Sequence, residues 1–248
     1  MKQGFLIPVY RHAQSVGPLL KKLKVFNIPI ILVDDGNEMH EKNLLAEYAA
    51  STPGLSLVTL EKNSGKGGAL IKGFIKAAEL GLTHVLQIDA DGQHDLQRAA
   101  FFLEESKKNP EKIICAYPEF DETAPRSRVI ARRISNFWAA VVTLSGEFRD
   151  VLCGFRVYPV NASLKSTSHF LLDKRMGFDP EILIRLYWNR VFPMYHPVKV
   201  IYPIDGISNF RVLRDNMRIS WMFTRLCIGM FLRLPFLLLL GINRRKEI

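Results

Sequence analysis

The segment THVLQIDADGQ, residues 83–93, is an apolar run that ends in two carboxylates and an amide. The run over 83–88 predicts a strand, with Asp89, Asp91 and Gln93 at its carboxyl end. Carboxylate and amide oxygens suit Mg²⁺ or Mn²⁺ that bridges nucleotide phosphates. Such a cation neutralises the charge that develops on a departing diphosphate. The segment therefore predicts a strand end that holds a divalent metal.

The same acidic segment has two other interpretations. It begins like a calcium-binding EF-hand loop, but that loop needs glycine at its sixth position and glutamate at its last, where His94 and Ala100 stand. The EF-hand is therefore excluded. An acidic turn that caps the next helix, with Asp95 as the N-cap, is the alternative that the spacing leaves open.

Short apolar runs alternate with amphipathic stretches on both sides of this segment, through the first half of the chain. That alternation is typical of β-α-β units, so we predict an α/β fold with a mostly parallel sheet flanked by helices. The carboxyl ends of such strands form the edge where ligands bind, and polar turns follow four of them here. The predicted strands cover residues 5–9, 28–33, 55–60, 83–88 and 112–116, and the predicted helices cover 66–80 and 95–107.

The regular alternation stops after Pro125. A long basic helix is predicted over 126–144, and an irregular segment follows through 150–156. We expect residues 1–212 to form one α/β domain and residues 213–248 to form a basic and apolar helical tail. A helix over 179–188 and a strand over 198–202 complete the predicted elements of the domain.

A glycine-rich stretch, Gly65-Lys66-Gly67-Gly68, opens the predicted helix over 66–80. Free backbone N–H groups at such a helix start can face a phosphate. It is neither a Walker A loop nor a dinucleotide fingerprint, whose third glycine is replaced by Leu70. The alternative is a helix start that is kept small so that it packs closely on the sheet.

A second acidic turn, Asp34-Asp35-Gly36, closes a predicted strand at the same edge of the sheet. A carboxylate there can accept hydrogen bonds from a base N–H or a ribose hydroxyl. An Asx-turn without any ligand is the alternative. The combination of this turn with the segment over 89–93 favours a shared site.

Composition narrows the classes of partner and compartment. The formal net charge of +10 attracts polyanions such as phosphorylated substrates or anionic lipid. No nucleic-acid-binding motif accompanies that charge, so we expect no nucleic-acid partner. Three cysteines without metal-ligand spacing, Cys115, Cys153 and Cys227, indicate a reducing compartment, and we expect a cytoplasmic protein.

Taken in order, these motifs resemble family 2 glycosyltransferases of the GT-A fold, and within them the dolichyl-phosphate mannose synthase-like branch. The resemblance covers roughly the first 210 residues, and the Asp-Ala-Asp-Gly-Gln segment is its most specific part. The stretches that carry it are PVY (8–10), VDDG (33–36), NSGKGGA (63–69), QIDADGQ (87–93), CGFR (153–156) with Asp150 before it, and GFDPE (177–181).

The resemblance implies a site for a nucleoside diphosphate sugar, with Mg²⁺ or Mn²⁺ as the cofactor and UDP-sugars favoured as donors. Asp91 would be the main metal ligand, with Asp89 and Gln93 beside it. The segment over 206–211 resembles a loop that closes on the diphosphate, although Asn209 stands where the branch often has lysine. The residues implied to bind the nucleotide sugar are Pro8, Tyr10, Asp34, Asp35, Gly65, Lys66, Asp89 and Arg211.

Asp179 matches the position where many inverting members of the family place a catalytic base. An acceptor hydroxyl must lose its proton as it attacks, and a carboxylate within reach can take it. The alternative is a helix N-cap, since Pro180 and Glu181 suit a helix start. The residues implied to contact the acceptor or its phosphate are Arg128, Arg132, Gly154, Phe155 and Arg156; a solvated basic face is the alternative for the arginines on the helix over 126–144.

The tail is almost wholly apolar over 226–242, but Arg233 and Pro235 divide it. It is short and interrupted for a spanning helix. On a helical wheel its basic residues Arg214, Arg218 and Arg225 leave an apolar side at 219, 223 and 226, which predicts an interfacial helix on anionic lipid. Packing of the tail on its own domain or on a second subunit is the alternative.

The sequence therefore predicts a metal-dependent, inverting glycosyltransferase of glycolipid biosynthesis, peripheral at the inner face of the membrane. Its acceptor is expected to be membrane-proximal and lipid-linked. Two alternatives remain: a polyprenyl-phosphate sugar synthase, whose ionised acceptor would not need Asp179 as a base, and an inactive membrane-bound scaffold. The sequence makes no prediction of the sugar or of the oligomeric state.

Overall fold

A computed structural model of the chain describes residues 1–92, 95–119, 126–168, 171–199 and 212–244. Its described part contains a seven-stranded sheet with helices on both faces. The strands are Gln3–Val9 (β1), Ile30–Asp34 (β2), Leu55–Thr59 (β3), His84–Gln87 (β4), Ile113–Glu119 (β5), Arg156–Pro159 (β6) and Pro193–Lys199 (β7). The α-helices are Ala13–Leu23 (α1), Met39–Ser51 (α2), Lys66–Glu79 (α3), Ala99–Lys108 (α4), Arg126–Thr143 (α5), Val160–Thr167 (α6), Phe178–Trp188 (α7) and Val212–Arg244 (α8).

The sheet has the strand order β3-β2-β1-β4-β6-β5-β7. Only β6 runs antiparallel to its neighbours among these strands, so the predicted mostly parallel α/β sheet is confirmed. Because β6 is antiparallel, its first residue, Arg156, pairs with the last residue of β4, Gln87. The chain segment that leads into β6 therefore meets the carboxyl end of β4, where Asp89 follows.

Apolar side chains fill both faces of the sheet, because successive strand residues point to opposite sides. Leu6 belongs to the core beneath α3, α5, α6, α7 and α8, whereas its neighbours Phe5 and Ile7 belong to the core beneath α1, α2 and α4. Burial on both sides explains why the strands read as nearly continuous apolar runs.

The predicted strands of the first half all form, with ends that differ by a few residues. Three helices and one strand were not predicted: α1, α2, α6 and β6. Helix α1 has a buried apolar face that includes Val16, Leu19 and Leu23, but Pro18 interrupts the pattern that would predict it. Helix α2 buries only Leu45 and has no clear amphipathic pattern. The segment predicted as irregular, 150–156, ends where strand β6 begins at Arg156, and β6 forms through pairing with β4 and β5. The last strand of the described residues, β7, begins five residues earlier than predicted, and residues 200–202 lie outside the described part.

Helix α8 is one continuous helix through Pro235, whereas the sequence suggested two segments. The face predicted to contact lipid, at 219, 223 and 226, is packed instead: Phe223 and Leu226 are buried against the domain, and Ile219 is partly buried there. Arg225 donates to the Leu171 carbonyl and contacts Glu181 on α7. The stretch Arg214–Leu239 is long and apolar enough to cross a bilayer, a property that the core helices of soluble proteins share.

Candidate active site

The carboxyl ends of β1, β2 and β4 lie side by side and bring the predicted site residues together. Val9 is paired with Asp34 across β1 and β2, and Leu6 is paired with Gln87 across β1 and β4. Parallel pairing places the residues that follow these strands on one edge, as expected for a ligand site in an open α/β sheet.

A charged cluster forms the centre of this edge. The Lys66 ammonium lies 3.0 Å from Oδ1 of Asp89 and 2.9 Å from Oδ2 of Asp179. Gln87 Nε2 donates to Oδ1 of Asp89 at 3.1 Å. Burial acts against the charge of Lys66, but Asp179 and Asp89 outweigh it and raise the pKa of the ammonium above its usual value. Lys66 therefore stays protonated and holds the two carboxylates near one another.

Two polar atoms beside the cluster are buried without a hydrogen-bond partner, namely Asp179 Oδ1 and Gln87 Oε1. Unpaired buried acceptors are costly, so each indicates a place for a donor group from a ligand. Asp179 does not cap its helix, because α7 begins at Phe178 with Gly177 as the N-cap and no side-chain cap bond. The helix-cap alternative for Asp179 is therefore not what the structure shows.

A second buried acceptor lies where β1 and β2 end. Oδ1 of Asp34 accepts from the backbone and side-chain nitrogens of Asn37, at 2.9 and 2.7 Å, while Oδ2 is buried and unpartnered. Asn37 also donates to the Val9 carbonyl and accepts from the Arg11 backbone. This network holds Asp34 with one oxygen available to a base or ribose donor. Pro8 and Tyr10, at the end of β1, are both partly exposed beside it.

Asp35 has a different role from the predicted nucleotide contact. Its carboxylate accepts from the Ser64 backbone and hydroxyl, the Gly65 backbone and the Asn63 amide, at 2.7–3.0 Å. Burial raises the pKa of Asp35, although these hydrogen bonds act in the opposite direction. Both oxygens are thus committed to the loop that precedes Lys66, so Asp35 positions the lysine.

The glycine-rich stretch does not present its N–H groups to a ligand as the sequence suggested. Gly67 and Gly68 donate to the Lys174 carbonyl, at 2.9 and 3.3 Å, and Gly65 donates to Asp35. A Cβ at Gly67 would collide with the Phe178 ring. The alternative is therefore correct: the glycines allow close packing, here against the segment that leads into α7.

The loop into β6 contributes its backbone and not its arginine. Arg156 is fully buried and donates to the carbonyls of Val151 and Asp179, both at 2.8 Å, so the predicted acceptor contact is wrong for this residue. Phe155 is also buried, with its ring 5.0 Å from that of Phe102. Gly154 lies at the site, because a Cβ there would be 2.6 Å from Lys66 Nζ.

Gly154→Ala tests how closely this loop must approach the cluster. The added methyl group would meet the Lys66 ammonium and the Gln87 amide, both at 2.6 Å, and Lys66 would have to move away from Asp89. We expect kcat/KM to fall by about tenfold or more, because small displacements of groups at an active site lower the rate strongly. Gly146→Ala, with open space around its Cβ, is the matched control. Equal activity in both variants would show that the approach is unimportant.

A basic cleft of about 190 Å³ lies beside the loop. Asp150 forms an ion pair with Arg132 and also accepts from the backbone of Cys153, next to Gly154, so one short segment borders both the cleft and the cluster. Arg149 lies over the Tyr117 ring. Three arginines against one aspartate leave the cleft positively charged. Its lining residues are Tyr117, Pro118, Val129, Arg132, Arg133, Asn136, Arg149 and Asp150.

The residues present fit a divalent metal that a substrate helps to hold. Asp89 and Asp91 follow β4 as hard oxygen donors, and the Asp89 side chain is 26% exposed. Among the described residues no group of three or more His, Cys, Asp or Glu side chains could hold a metal. Mg²⁺ and Mn²⁺ sites at phosphates need only one or two carboxylates, with phosphate and water completing the shell. Gln93, Arg211 and the side chain of Arg128 lie outside the described residues.

Two residues of this edge were not assigned a role from the sequence. Gln87 is buried in β4, and a polar side chain within an apolar strand is a usable signal of a site. Asn37 follows the second acidic turn, but its links to Asp34 and to β1 depend on strand pairing that no local pattern reveals. Arg149 likewise reaches the cleft only through the fold.

A mostly parallel sheet with Asp34 and Asp89 at its carboxyl edge, and Asp179 joined to Asp89 through Lys66, is the arrangement expected of a glycosyltransferase of the GT-A fold. The chain belongs to glycosyl transferase family 2, whose sequence profile matches residues 5–166.

Two curated relatives are named as transferases that act with dolichyl phosphate. A UDP-N-acetylglucosamine–dolichyl-phosphate N-acetylglucosaminyltransferase of Methanococcus voltae is 25% identical over 213 residues, which cover 79% of this chain and 84% of that protein. A dolichyl-phosphate beta-glucosyltransferase of Dictyostelium discoideum is 29% identical over 175 residues, which cover 66% of this chain and 52% of that protein. The chain thus matches only about half the length of the Dictyostelium relative.

Solved structures share the fold at low sequence identity. Glucosyl-3-phosphoglycerate synthase from Mycobacterium tuberculosis, in complex with Mn²⁺ and UDP-glucose, superposes with a TM-score of 0.64 at 14% identity, covering 92% of this chain and 78% of that chain. Mannosyl-3-phosphoglycerate synthase from Rubrobacter xylanophilus gives 0.58 at 17% identity, covering 95% and 75%. The predicted GT-A fold is thereby confirmed.

Proposed function

We propose that this enzyme transfers a sugar from a nucleoside diphosphate sugar, with UDP-sugars favoured, to a polyprenyl phosphate of the dolichyl type. The observation that carries the proposal is the positively charged cleft that shares the 150–154 segment with the Lys66–Asp89–Asp179 cluster. The names of the curated relatives support the same acceptor. Of the two enzymatic interpretations open from the sequence, we therefore favour the phosphate acceptor.

The chemistry matches the groups on this edge. A phosphate oxygen of the acceptor attacks the anomeric carbon, the bond from that carbon to the diphosphate breaks, and the nucleoside diphosphate leaves with the electron pair. Mg²⁺ or Mn²⁺, held by Asp89 and Asp91, would supply compensation for the charge of the leaving diphosphate. Attack from the face opposite the leaving group inverts the anomeric centre. In this scheme Asp34 binds the nucleoside, and Arg132 and Arg133 bind the acceptor phosphate.

Asp179 is proposed to position Lys66 and the donor sugar. A general base is not needed, because the polyprenyl phosphate acceptor is already ionised. The second pKa of a phosphate monoester is about 6, so the nucleophile is already formed at neutral pH. The unpartnered Oδ1 of Asp179 is placed to accept a hydrogen bond from the sugar.

The acceptor class can be tested through Asp179→Asn. With a polyprenyl phosphate we expect kcat to fall by about tenfold or less, since asparagine still accepts hydrogen bonds and only positioning is weakened. With a hydroxyl acceptor, which needs a general base, the same substitution should lower kcat by about 10²–10⁴-fold. Single-turnover kinetics with saturating donor separate the two cases. A melting curve of the variant beside that of the wild type controls for loss of folded protein, and a larger loss with dolichyl phosphate would return Asp179 to the role of general base.

The function itself is tested by direct assay. Purified full-length protein is incubated with UDP-, GDP- or dTDP-sugars, dolichyl phosphate and Mn²⁺ or Mg²⁺, and the product is extracted into organic solvent. We expect one donor to yield a lipid-linked sugar, and EDTA to abolish the reaction. If no donor raises the melting temperature and none is consumed, the inactive scaffold is the better description.

We propose that residues 213–248 keep the enzyme at the cytoplasmic face of the membrane that holds the acceptor. The outward side of α8 supports this, with exposed Trp221, Ile228 and Leu232. The inner side of α8 packs on the domain of residues 1–212, so truncation would expose the core. Point substitutions on the outward side are the suitable test of membrane association.

A further inference from the structure

Helix α5 exposes an apolar stripe that the domain does not cover. Ile130, Ile134 and Phe137 follow the i, i+4, i+7 spacing of one helix face and are 54–61% exposed. The opposite face of α5 is buried through Ala139 and Val142. An amphipathic helix normally turns its apolar face to the core, so α5 has a second apolar face that needs another partner.

Helix α8 shows the same two-faced arrangement. Its inner residues are buried, whereas its outer residues remain exposed along about six turns of helix. Among the described side chains of α8, the exposed large apolar residues are Met217, Trp221, Ile228, Phe231, Leu232, Leu238 and Leu239.

The two helices that carry these stripes pack against one another. The ring of Trp138, itself 39% exposed, lies 6.4 Å from the ring of Phe223 on α8. Together the stripes form an apolar surface of more than half a dozen large side chains, which exceeds the scattered apolar residues of an ordinary soluble surface. We call this surface, Ile130, Ile134, Phe137 and Trp138 of α5 with the outer residues of α8, the α5–α8 surface.

Basic residues flank the α5–α8 surface. Arg133 is exposed on α5, and Arg214 is exposed at the start of α8. On the flank of α5 away from α8, Val129, Arg132 and Asn136 line the basic cleft. An apolar face bordered by arginines matches a bilayer with anionic headgroups. A second copy of this chain, with its net charge of +10, would bring like charges together at the same place.

We propose that the α5–α8 surface docks as one unit onto an anionic bilayer, with α5 as a second membrane contact beside the tail. This orientation sets the basic cleft at the level of the headgroups, where the phosphate of a lipid acceptor lies. The proposal rests on the proposed function for that acceptor, but the docking itself is measurable without any turnover.

The test uses full-length protein and vesicles of phosphatidylcholine with or without phosphatidylglycerol. The variant is the double substitution Ile134→Ser with Phe137→Ser. The matched control is Val25→Ser with Met39→Ser, which also removes two exposed apolar side chains, at 79% and 71% exposure, but from the α1–α2 side of the sheet. We expect the α5 variant to bind anionic vesicles about tenfold or more weakly than wild type, and the control to bind like wild type.

Fluorescence provides a second readout. Brominated lipids should quench Trp138 and Trp221 in the wild type, and Trp138→Phe should reduce the quenching, while buried Trp188 contributes little. Equal vesicle binding by the α5 variant and wild type would overturn the proposal and leave α8 as the sole contact. If sedimentation shows that the wild type is a dimer and that the α5 substitutions dissociate it, the α5–α8 surface binds a second copy of the chain. That result would also overturn the membrane-docking proposal.

A short-chain polyprenyl phosphate that is soluble without vesicles separates the two proposals. Turnover of this acceptor should be equal in wild type and the α5 variant, because no residue of the cluster or cleft is changed. If the wild type binds vesicles but transfers no sugar to any polyprenyl phosphate, the proposed function is refuted and the docking proposal stands. If the enzyme transfers sugar to a polyprenyl phosphate but the α5 substitutions leave vesicle binding unchanged, the docking proposal is refuted and the proposed function stands.

Discussion

Asp91→Asn should lower kcat/KM for sugar transfer by about 10²–10³-fold, the loss typical when a group that compensates charge in the transition state is removed. Asp91 follows β4 two residues after Asp89, and it is partly exposed. The amide keeps the shape of the side chain but removes one of the two negative charges proposed to hold the divalent cation. The effect should therefore fall on catalysis and donor binding, with the fold retained.

The measurement is a titration of Mn²⁺ and Mg²⁺ in the transfer assay, with donor binding followed by calorimetry. Asp95→Asn is the matched control, because Asp95 lies four residues on and caps a short helix through the Gln97 backbone. It should change activity little. If Asp91→Asn retains wild-type turnover and the same metal requirement, Asp91 does not hold the metal.

Arg156→Met should lower the free energy of unfolding by about 3–5 kcal/mol, as expected when several buried acceptors lose their donor. The guanidinium is fully buried and donates to the Val151 and Asp179 carbonyls and to the Tyr158 hydroxyl. Methionine fills much of the volume but leaves these acceptors without donors, each at a cost of about 1–3 kcal/mol.

Urea unfolding of both proteins in the absence of ligands measures the difference. Arg133→Met is the matched control, since Arg133 is exposed on α5 and its loss should leave stability unchanged while raising the KM for the acceptor. The opposite pattern, in which Arg156→Met keeps its stability but binds the acceptor poorly, would restore the predicted contact between Arg156 and the acceptor.

Arg132 and Arg156 show what residue type alone predicts about a site and what it does not. Both stand in basic or polar motifs, and the sequence suggested that Arg132 and Arg156 contact the acceptor. The structure brings Arg132 to a cleft with Arg133 and Arg149, and it places Arg156 beneath the site as a link between β6 and the start of α7. The charge of a residue is visible in the sequence, but its burial depends on which strands pair.

The sequence by itself determined the α/β class, most of the parallel strands, the helices α3, α4, α5 and α7, and the carboxylates at the ends of β2 and β4. These features depend on local periodicity and on turn residues, which act over a few positions of the chain. The helix through Pro235 and the strand β6 were decided by packing and pairing with distant residues, which no local pattern contains. Three contacts were decided by the tertiary structure alone. Lys66 joins Asp89 to Asp179, and Gly67 and Gly68 donate their N–H groups to the Lys174 carbonyl. Helix α8 buries the face that was expected to contact lipid. In each case a side chain or backbone group meets a partner more than 20 residues away, and only the folded sheet with its covering helices brings such groups into contact.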